Sequence, residues 1–92
     1  MAHVPDESAG IEVTVRFFAA AQAAAGAESQ TLRLPPGATV AELVDGLAAR
    51  GNPLATVLSR CAYLCDGIAV RDDTKPLRPG NTIDVLPPFS GG

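Results

Sequence analysis

One helical pattern, at residues 39–50, constrains the fold of this 92-residue chain more than any other segment. Thr39 and Glu42 stand three residues apart, as the N-cap and N3 residues of a capping box do. Apolar residues follow at the spacing of one helix face, namely Val40, Leu43, Val44, Leu47 and Ala48. The sequence therefore predicts one main helix that runs to about Arg50, stops at Gly51 and buries one side against another element.

Short segments with strand character lie on both sides of this helix. They are residues 11–17, 29–34, 61–65, 68–70 and 82–86. The first two alternate apolar and polar residues, which is typical of half-buried strands, and Asp66-Gly67 is a hairpin signal between the third and fourth. Brief helical turns are expected at 19–25 and 53–58. A mixed sheet of about five strands, with one main helix packed across one face, is an α+β domain of the ubiquitin-like β-grasp type.

Charge and hydropathy exclude several classes of function. Seven Lys and Arg residues against ten Asp and Glu residues give a formal net charge of −3, whereas nucleic-acid binding needs a basic face. No apolar run approaches the ~20 residues of a membrane span. The first residues also lack the basic and apolar regions of a signal peptide. We therefore expect a cytoplasmic protein that binds neither nucleic acid nor membrane.

The two cysteines, Cys61 and Cys65, are interpreted as small apolar residues. In an extended strand their Cα atoms would lie roughly 13 Å apart, whereas a disulfide requires less than about 7 Å. Their spacing is not CxxC, and the single histidine, His3, is far away in the sequence. We expect neither an intrachain disulfide nor a metal site.

The last six residues carry the most distinctive motif of the chain. Pro87 and Pro88 end the final strand, because proline has no N–H for a ladder and a fixed φ. Gly91 and Gly92 then form a thin, conformationally free end, which can thread a narrow channel and present a carboxylate to another protein's active site. A frayed, functionless terminus is the alternative, but it does not explain a rigid spacer directly before a flexible tip.

This pattern divides the chain into three predicted regions. Residues 1–10 are a disordered leader without periodicity, residues 11–86 are the β-grasp domain, and residues 87–92 are a flexible tail.

Three stretches resemble the small, sulfur-carrying subunit of molybdopterin synthase, a member of the ubiquitin-like β-grasp sulfur carriers. They are residues 15–19 followed by Ala25-Gly26, residues 76–83, and residues 87–92. The last is similar to that family's terminal signature of two prolines, two variable residues and Gly-Gly, and it is the most specific of the three. The resemblance covers about residues 11–92.

The resemblance implies a carrier with no catalytic residue and no bound metal or cofactor of its own. An E1-like adenylyltransferase would use ATP and Mg²⁺ to adenylate the carboxylate of Gly92, and a sulfur donor protein would convert it to a thiocarboxylate. The tail would then enter the large catalytic subunit of the synthase, in a heterotetramer of two small and two large subunits. There it would give its sulfur to the pterin precursor in molybdenum cofactor biosynthesis.

The resemblance also implies roles for individual residues. Gly92 would carry the sulfur, and Phe89 would anchor the tail in a partner pocket. The residues expected to thread into the partner are Gly91, Ser90, Phe89, Pro88 and Pro87. The apolar residues expected to face the partner are Phe18, Cys61 and Leu86.

Two other functions remain open at this point. A carrier of the same fold could serve thiazole synthesis, cysteine synthesis or transfer-RNA thiolation, or act as a ubiquitin-like modifier, although thiazole carriers usually lack the Pro-Pro spacer. A β-grasp interaction module with an incidental Gly-Gly end belongs to a different class. One residue appended after Gly92 should abolish the function of a carrier and leave that of an interaction module intact.

Overall fold

The computed structural model describes residues 10–88. The elements, in chain order, are β1 (Ile11–Phe17), α1 (Ala19–Ala25), β2 (Ser29–Leu34), α2 (Val40–Ala48), α3 (Leu54–Leu58), β3 (Ala62–Cys65), β4 (Ile68–Ala69) and β5 (Thr82–Leu86). Most of the predicted leader and four of the six tail residues lie outside the described residues. The boundaries of those two regions therefore stay predictions.

The five strands form one mixed sheet in the order β2-β1-β5-β3-β4. β1 pairs antiparallel with β2 and parallel with β5. β3 pairs antiparallel with β5 and with β4. The last strand in the sequence thus occupies the centre of the sheet. This architecture confirms the predicted α+β fold of the β-grasp type.

The core lies between one face of the sheet, the inner face, and the helices. Val15, Ile83 and Val85 are fully buried at the centre of that face, and Phe17 is 2% exposed beside them. The helices contribute the buried residues Ala21, Val40, Leu43, Leu47, Leu54 and Leu58. Full burial of each Val, Leu, Ile or Phe side chain stabilises the fold by roughly 1.5–3 kcal/mol.

The predicted capping box begins helix α2. The Thr39 side chain accepts a hydrogen bond from the Glu42 N–H, and the Glu42 carboxylate accepts one from the Thr39 N–H. The helix ends at Ala48, two residues before the predicted end. The N–H groups of Arg50 and Gly51 donate to carbonyls three residues back, so the chain finishes in a tight turn rather than another α-helical turn.

The predicted hairpin joins β3 and β4 through a two-residue turn. Asp66 and Gly67 have φ values of 50° and 84°, the left-handed conformation that such turns require. β4 is shorter than predicted and ends at Ala69. β3 begins at Ala62 rather than at Cys61, because the Cys61 N–H donates to the Leu58 carbonyl and so closes the end of α3.

The long connection between β4 and β5 is held against the start of α2. Leu77 is buried, and its N–H donates to the Ala38 carbonyl at 2.7 Å. An isolated bridge joins Pro76 to Thr39. Among residues 10–88, the helices are too short or too polar to cross a membrane.

Candidate functional site

The tail leaves the domain from the middle of the sheet, because β5 lies between β1 and β3. Pro87 is half-buried and Pro88 is exposed, and neither belongs to a strand. The remaining tail residues, Phe89, Ser90, Gly91 and Gly92, lie outside the described residues. The structure therefore shows where β5 ends, and the roles assigned to these four residues stay predictions.

A cleft of about 610 Å³, which we call the tail-base cleft, opens beside this exit. It is lined by Ala19, Ala20, Arg60, Ala62, Leu86, Pro87 and Pro88. Ala19 and Ala20 come from the start of α1, and Arg60 and Ala62 come from the segment around the start of β3. The alanines leave room beside the prolines, and Arg60 supplies the only basic side chain of the lining. The cleft is a place where a partner chain could contact the base of the tail.

The face of the sheet opposite the helices, the outer face, adjoins this cleft. Alternation along β1 places Phe18 on the outer face, where it is 37% exposed. The Phe18 N–H donates to the Val85 carbonyl at 3.2 Å, which continues the parallel β1–β5 register toward Leu86. Leu86 is half-buried and points to the same face. Two of the three apolar residues expected to face a partner thus lie together next to the tail.

The third of these residues, Cys61, lies elsewhere. Its thiol donates a hydrogen bond to the Val57 carbonyl at 3.2 Å, and the side chain packs against the core on the helix side of the sheet. Burial raises the pKa of the Cys61 thiol. The structure does not bring Cys61 to the face that carries Phe18 and Leu86, so we leave it out of the docking surface proposed below.

An ion pair that the sequence did not predict occupies the centre of the outer face. Arg16 and Asp84 stand opposite each other in the parallel β1–β5 register. Arg16 Nε donates to Asp84 Oδ1 at 2.6 Å, and Nη2 donates to Oδ2 at 3.0 Å. The hydrogen bond to Asp84, and then the charge of that carboxylate, raise the pKa of the Arg16 guanidinium above its ordinary value. The pair is therefore a fixed, bidentate contact at the physiological range of pH.

Apolar groups surround this ion pair. The guanidinium carbon of Arg16 lies 5.4 Å from the centre of the Phe18 ring, a cation–π distance. Leu64 of β3 is the direct cross-strand neighbour of Asp84, and Leu86 follows Asp84 on the same face. We refer to Phe18, Leu64 and Leu86, with the Arg16–Asp84 pair between them, as the docking face.

Two other acidic side chains of the described region, those of Asp66 and Asp72, hold local turns in place. Asp66 accepts hydrogen bonds from the Asn81 side chain and the Thr82 N–H, which fixes the hairpin against β5. Asp72 accepts hydrogen bonds from the side chain and N–H of Thr74, and these contacts lower the pKa of its carboxyl. Within residues 10–88 no three His, Cys, Asp or Glu side chains are grouped so that they could hold a metal ion.

Comparison with known proteins gives the family of the chain. A sequence model described as the ThiS family matches residues 15–92. The chain belongs to the ThiS family. The match begins in β1 and extends through the tail, so it includes every element of the docking face and the tail-base cleft.

Relatives of this ThiS-family chain confirm the resemblance predicted from the sequence. The molybdopterin synthase sulfur carrier subunit of Chlamydomonas reinhardtii is 30% identical over 83 residues, which are 89% of this chain and 100% of that protein. The structure of a complex of subunits 1 and 2 of molybdopterin-converting factor from Helicobacter pylori contains a chain that is 27% identical, with a TM-score of 0.68 and coverage of 89% of this chain and 100% of that one.

A third similar protein carries a different name. The small archaeal modifier protein 1 from Methanosarcina acetivorans is 25% identical, with a TM-score of 0.74 and coverage of 89% of this chain and 97% of that one. Proteins named as sulfur carriers and proteins named as modifiers thus share this fold, so the fold by itself does not select between the two functions.

Proposed function

We propose that this chain is the sulfur-carrier subunit of a molybdopterin synthase and acts in molybdenum cofactor biosynthesis. The family match that extends to Gly92, and so includes the Pro-Pro and Gly-Gly motif, carries this proposal. The relative from Chlamydomonas reinhardtii, which bears this name and is matched over its whole length, supports it. On this proposal the chain is a non-catalytic cytoplasmic subunit that works only together with its partners.

The chemistry takes place at the carboxylate of Gly92. Attack of this carboxylate on the α-phosphorus of ATP, in an E1-like adenylyltransferase with Mg²⁺, releases pyrophosphate and gives an acyl adenylate. Adenylation makes the carbonyl carbon electrophilic. A donor protein then supplies sulfur at the oxidation level of sulfide, which attacks this carbon, displaces AMP and leaves a terminal thiocarboxylate. No side chain of this subunit takes part as acid, base or nucleophile.

The tail delivers the sulfur to the large catalytic subunit of the synthase. Gly91 and Gly92 have no side chains that would block a narrow channel, and Pro87 and Pro88 hold the start of the tail clear of the sheet. Phe89 and Ser90 enter with them, and Phe89 anchors in a pocket of the partner. The docking face and the tail-base cleft adjoin the exit of the tail, so the large subunit would cover them while it receives the tail. The complex of subunits 1 and 2 from Helicobacter pylori supports such a partner, and we propose two small and two large subunits in the assembly.

Intact mass spectrometry tests the first half of this proposal. The chain is incubated with an E1-like adenylating enzyme, ATP, Mg²⁺ and a sulfur donor. We expect a mass gain equal to the replacement of one oxygen by sulfur, and no gain when Gly92 is deleted. Absence of a gain with several such enzymes, on a sample with native circular dichroism, would contradict the carrier function.

Addition of the large synthase subunit and the pterin precursor tests the second half. Loss of the added sulfur from the chain, together with formation of a dithiolene product, is expected for a molybdopterin carrier. Retention of the sulfur would assign the chain to another sulfur pathway.

A ubiquitin-like modifier is the second candidate, because the small archaeal modifier protein 1 shares the fold and a quarter of its sequence. A modifier would form an amide bond between Gly92 and a lysine of another protein. Conjugates of higher mass that require Gly92, formed with the adenylating enzyme but without the large synthase subunit, would favour this candidate. A variant with one residue appended after Gly92 separates both from an interaction module, since only the module would keep its function.

A further inference from the structure

The hydrogen bonds between Arg16 and Asp84 use both oxygens of the carboxylate but only some of the N–H groups of the guanidinium. Both carboxylate oxygens of Asp84 accept hydrogen bonds from Arg16, and the Asp84 side chain is 10% exposed. A guanidinium has five N–H donors, and two of them serve Asp84. The Arg16 side chain is 52% exposed, and within residues 10–88 Asp84 is its one hydrogen-bond partner. Its other three N–H donors, at the centre of the docking face, therefore have no acceptor among residues 10–88 and are open to solvent.

These donors lie within an apolar frame. The Phe18 ring packs against the guanidinium, and Leu64 and Leu86 border Asp84. A partner that covers this face removes water from Arg16 as well as from the apolar side chains. Burial of a donor without an acceptor forfeits its hydrogen bond to water, which is a cost comparable to the gain from a well-buried apolar side chain. A partner surface that is apolar throughout would therefore pack against the apolar side chains of the docking face but would leave the N–H groups of Arg16 without an acceptor.

From this geometry, and resting on the proposed function, we propose that the Arg16–Asp84 pair determines which partner the docking face accepts. The large synthase subunit that receives the tail presents an apolar surface with a neutral oxygen acceptor, a backbone carbonyl or a side-chain amide, above the Arg16 guanidinium. The acceptor is neutral because Asp84 already balances the charge of Arg16. A second carboxylate at this position would leave one uncompensated negative charge in a water-excluded contact. The pair thus selects against partners whose surface is apolar throughout.

The test measures the affinity of the full chain for the large synthase subunit by isothermal titration calorimetry. In the double variant Arg16→Leu with Asp84→Ala, apolar groups replace the pair, a change that often leaves stability unaffected. We expect the dissociation constant to rise roughly tenfold, because the partner's acceptor loses its donor. Arg16→Lys keeps the charge but not the planar fork, so it should weaken binding to a smaller extent. Urea unfolding of each variant verifies that the fold is kept.

The chain offers a matched control pair. Arg33 and Glu12 also face each other across two strands on the outer face, with Nη2 and Oε2 2.9 Å apart, but at the β1–β2 edge and with side chains 55% and 60% exposed. The double variant Arg33→Leu with Glu12→Ala should change the dissociation constant by less than about twofold, as is usual for rim charges.

Four results would overturn the proposal or part of it. Wild-type affinity of the Arg16→Leu, Asp84→Ala variant would refute the selecting role of the pair, while the carrier function would stand on the mass measurement. An equal rise of the dissociation constant in the Arg33→Leu, Glu12→Ala variant would show that the effect comes from general surface charge. A steep fall of affinity between about 0.05 and 0.5 M salt, absent in the variant, would place a carboxylate rather than a neutral acceptor above Arg16. If the wild-type chain does not bind the large subunit at all, the docking proposal fails, and the thiocarboxylate assay decides separately whether the chain is a carrier.

Discussion

Alkaline pH should destabilise this domain through Tyr63, the one tyrosine of the chain. The phenol donates a hydrogen bond to the Leu58 carbonyl at 2.8 Å, and the side chain is half-buried. Burial first, and the charge of the nearby Cys61 second, raise the pKa of Tyr63 to about 12. An unfolded tyrosine titrates near 10. The folded state therefore holds this proton more tightly than the unfolded state does.

The sign and size of the effect follow from linkage. Below about pH 10 the phenol is protonated in both states, and its contribution to stability is complete. Above that value the unfolded state loses the proton first, so the free energy of unfolding falls until the pH reaches the folded pKa. Two pKa units correspond to about 2.7 kcal/mol. Since the side chain is partly exposed, solvent screening reduces the expected loss to roughly 1 kcal/mol.

Ultraviolet titration of the tyrosinate form measures Tyr63 alone, because the chain has no tryptophan. Urea unfolding at about pH 9 and pH 11 then gives the change in the free energy of unfolding on either side of the free tyrosine pKa. Tyr63→Phe is the matched control, since it keeps Cys61 and Cys65 and removes only the phenol. We expect a smaller loss of stability with pH in the variant. A titration midpoint near 10 in the folded wild type, or the same pH dependence in both proteins, would refute the reasoning.

Four further substitutions test the fold by urea unfolding. Thr39→Ala removes the N-cap hydrogen bond to Glu42 and should lower the free energy of unfolding by about 1 kcal/mol; no change would mean that the cap contributes nothing. Leu47→Ala, at a 2% exposed core position, should cost about 2–5 kcal/mol, and Gly46→Ala, in the same helix with open space around the added Cβ, should instead stabilise by about 0.5–1 kcal/mol. Gly67→Ala, at φ +84°, should destabilise by about 1 kcal/mol despite equally open space, and a stabilising result would contradict the backbone argument.

Features that depend on neighbouring residues could be predicted from the sequence. The Thr39–Glu42 capping box, the Asp66-Gly67 turn and the alternation of β1 all act over a few residues, and the structure confirms each of them. The errors were small and lay at element ends. α2 stops at Ala48, because the N–H groups of Arg50 and Gly51 donate to carbonyls three residues back rather than four. The residue types at these positions do not predict which of the two hydrogen-bond patterns forms.

Features that depend on strand order could not be predicted in the same way. Arg16 and Asp84 are 68 residues apart, and their contact exists only because β5 inserts beside β1 in parallel. Alternation alone is enough to place Arg16 and Phe18 on one face of β1, and to place Asp84 on the face of β5 opposite to Ile83 and Val85. The missing information was which strands are neighbours, and local hydrophobic patterns do not carry it.

The position of Cys61 could have been obtained from the same alternation. Ala62 of β3 stands opposite Leu86 of β5, so these two side chains share the outer face. Cys61 precedes Ala62 by one residue and therefore belongs with Tyr63 and Cys65 on the side of the helices. Cys61 was expected to face a partner because of its apolar character, and apolar character alone does not say on which side of a sheet a residue lies.

β5 links folding to the proposed function, because its two sides do different things. Ile83 and Val85 are fully buried in the core, whereas Asp84 and Leu86 form part of the docking face, and the strand then continues into the tail. A shift of β5 by one residue would exchange the two sides and place a carboxylate in the core. The register that builds the core is therefore the register that pairs Asp84 with Arg16 and sets Pro87 at the end of the central strand. Substitutions on the outer side of β5 can consequently change partner choice while the inner side keeps the fold.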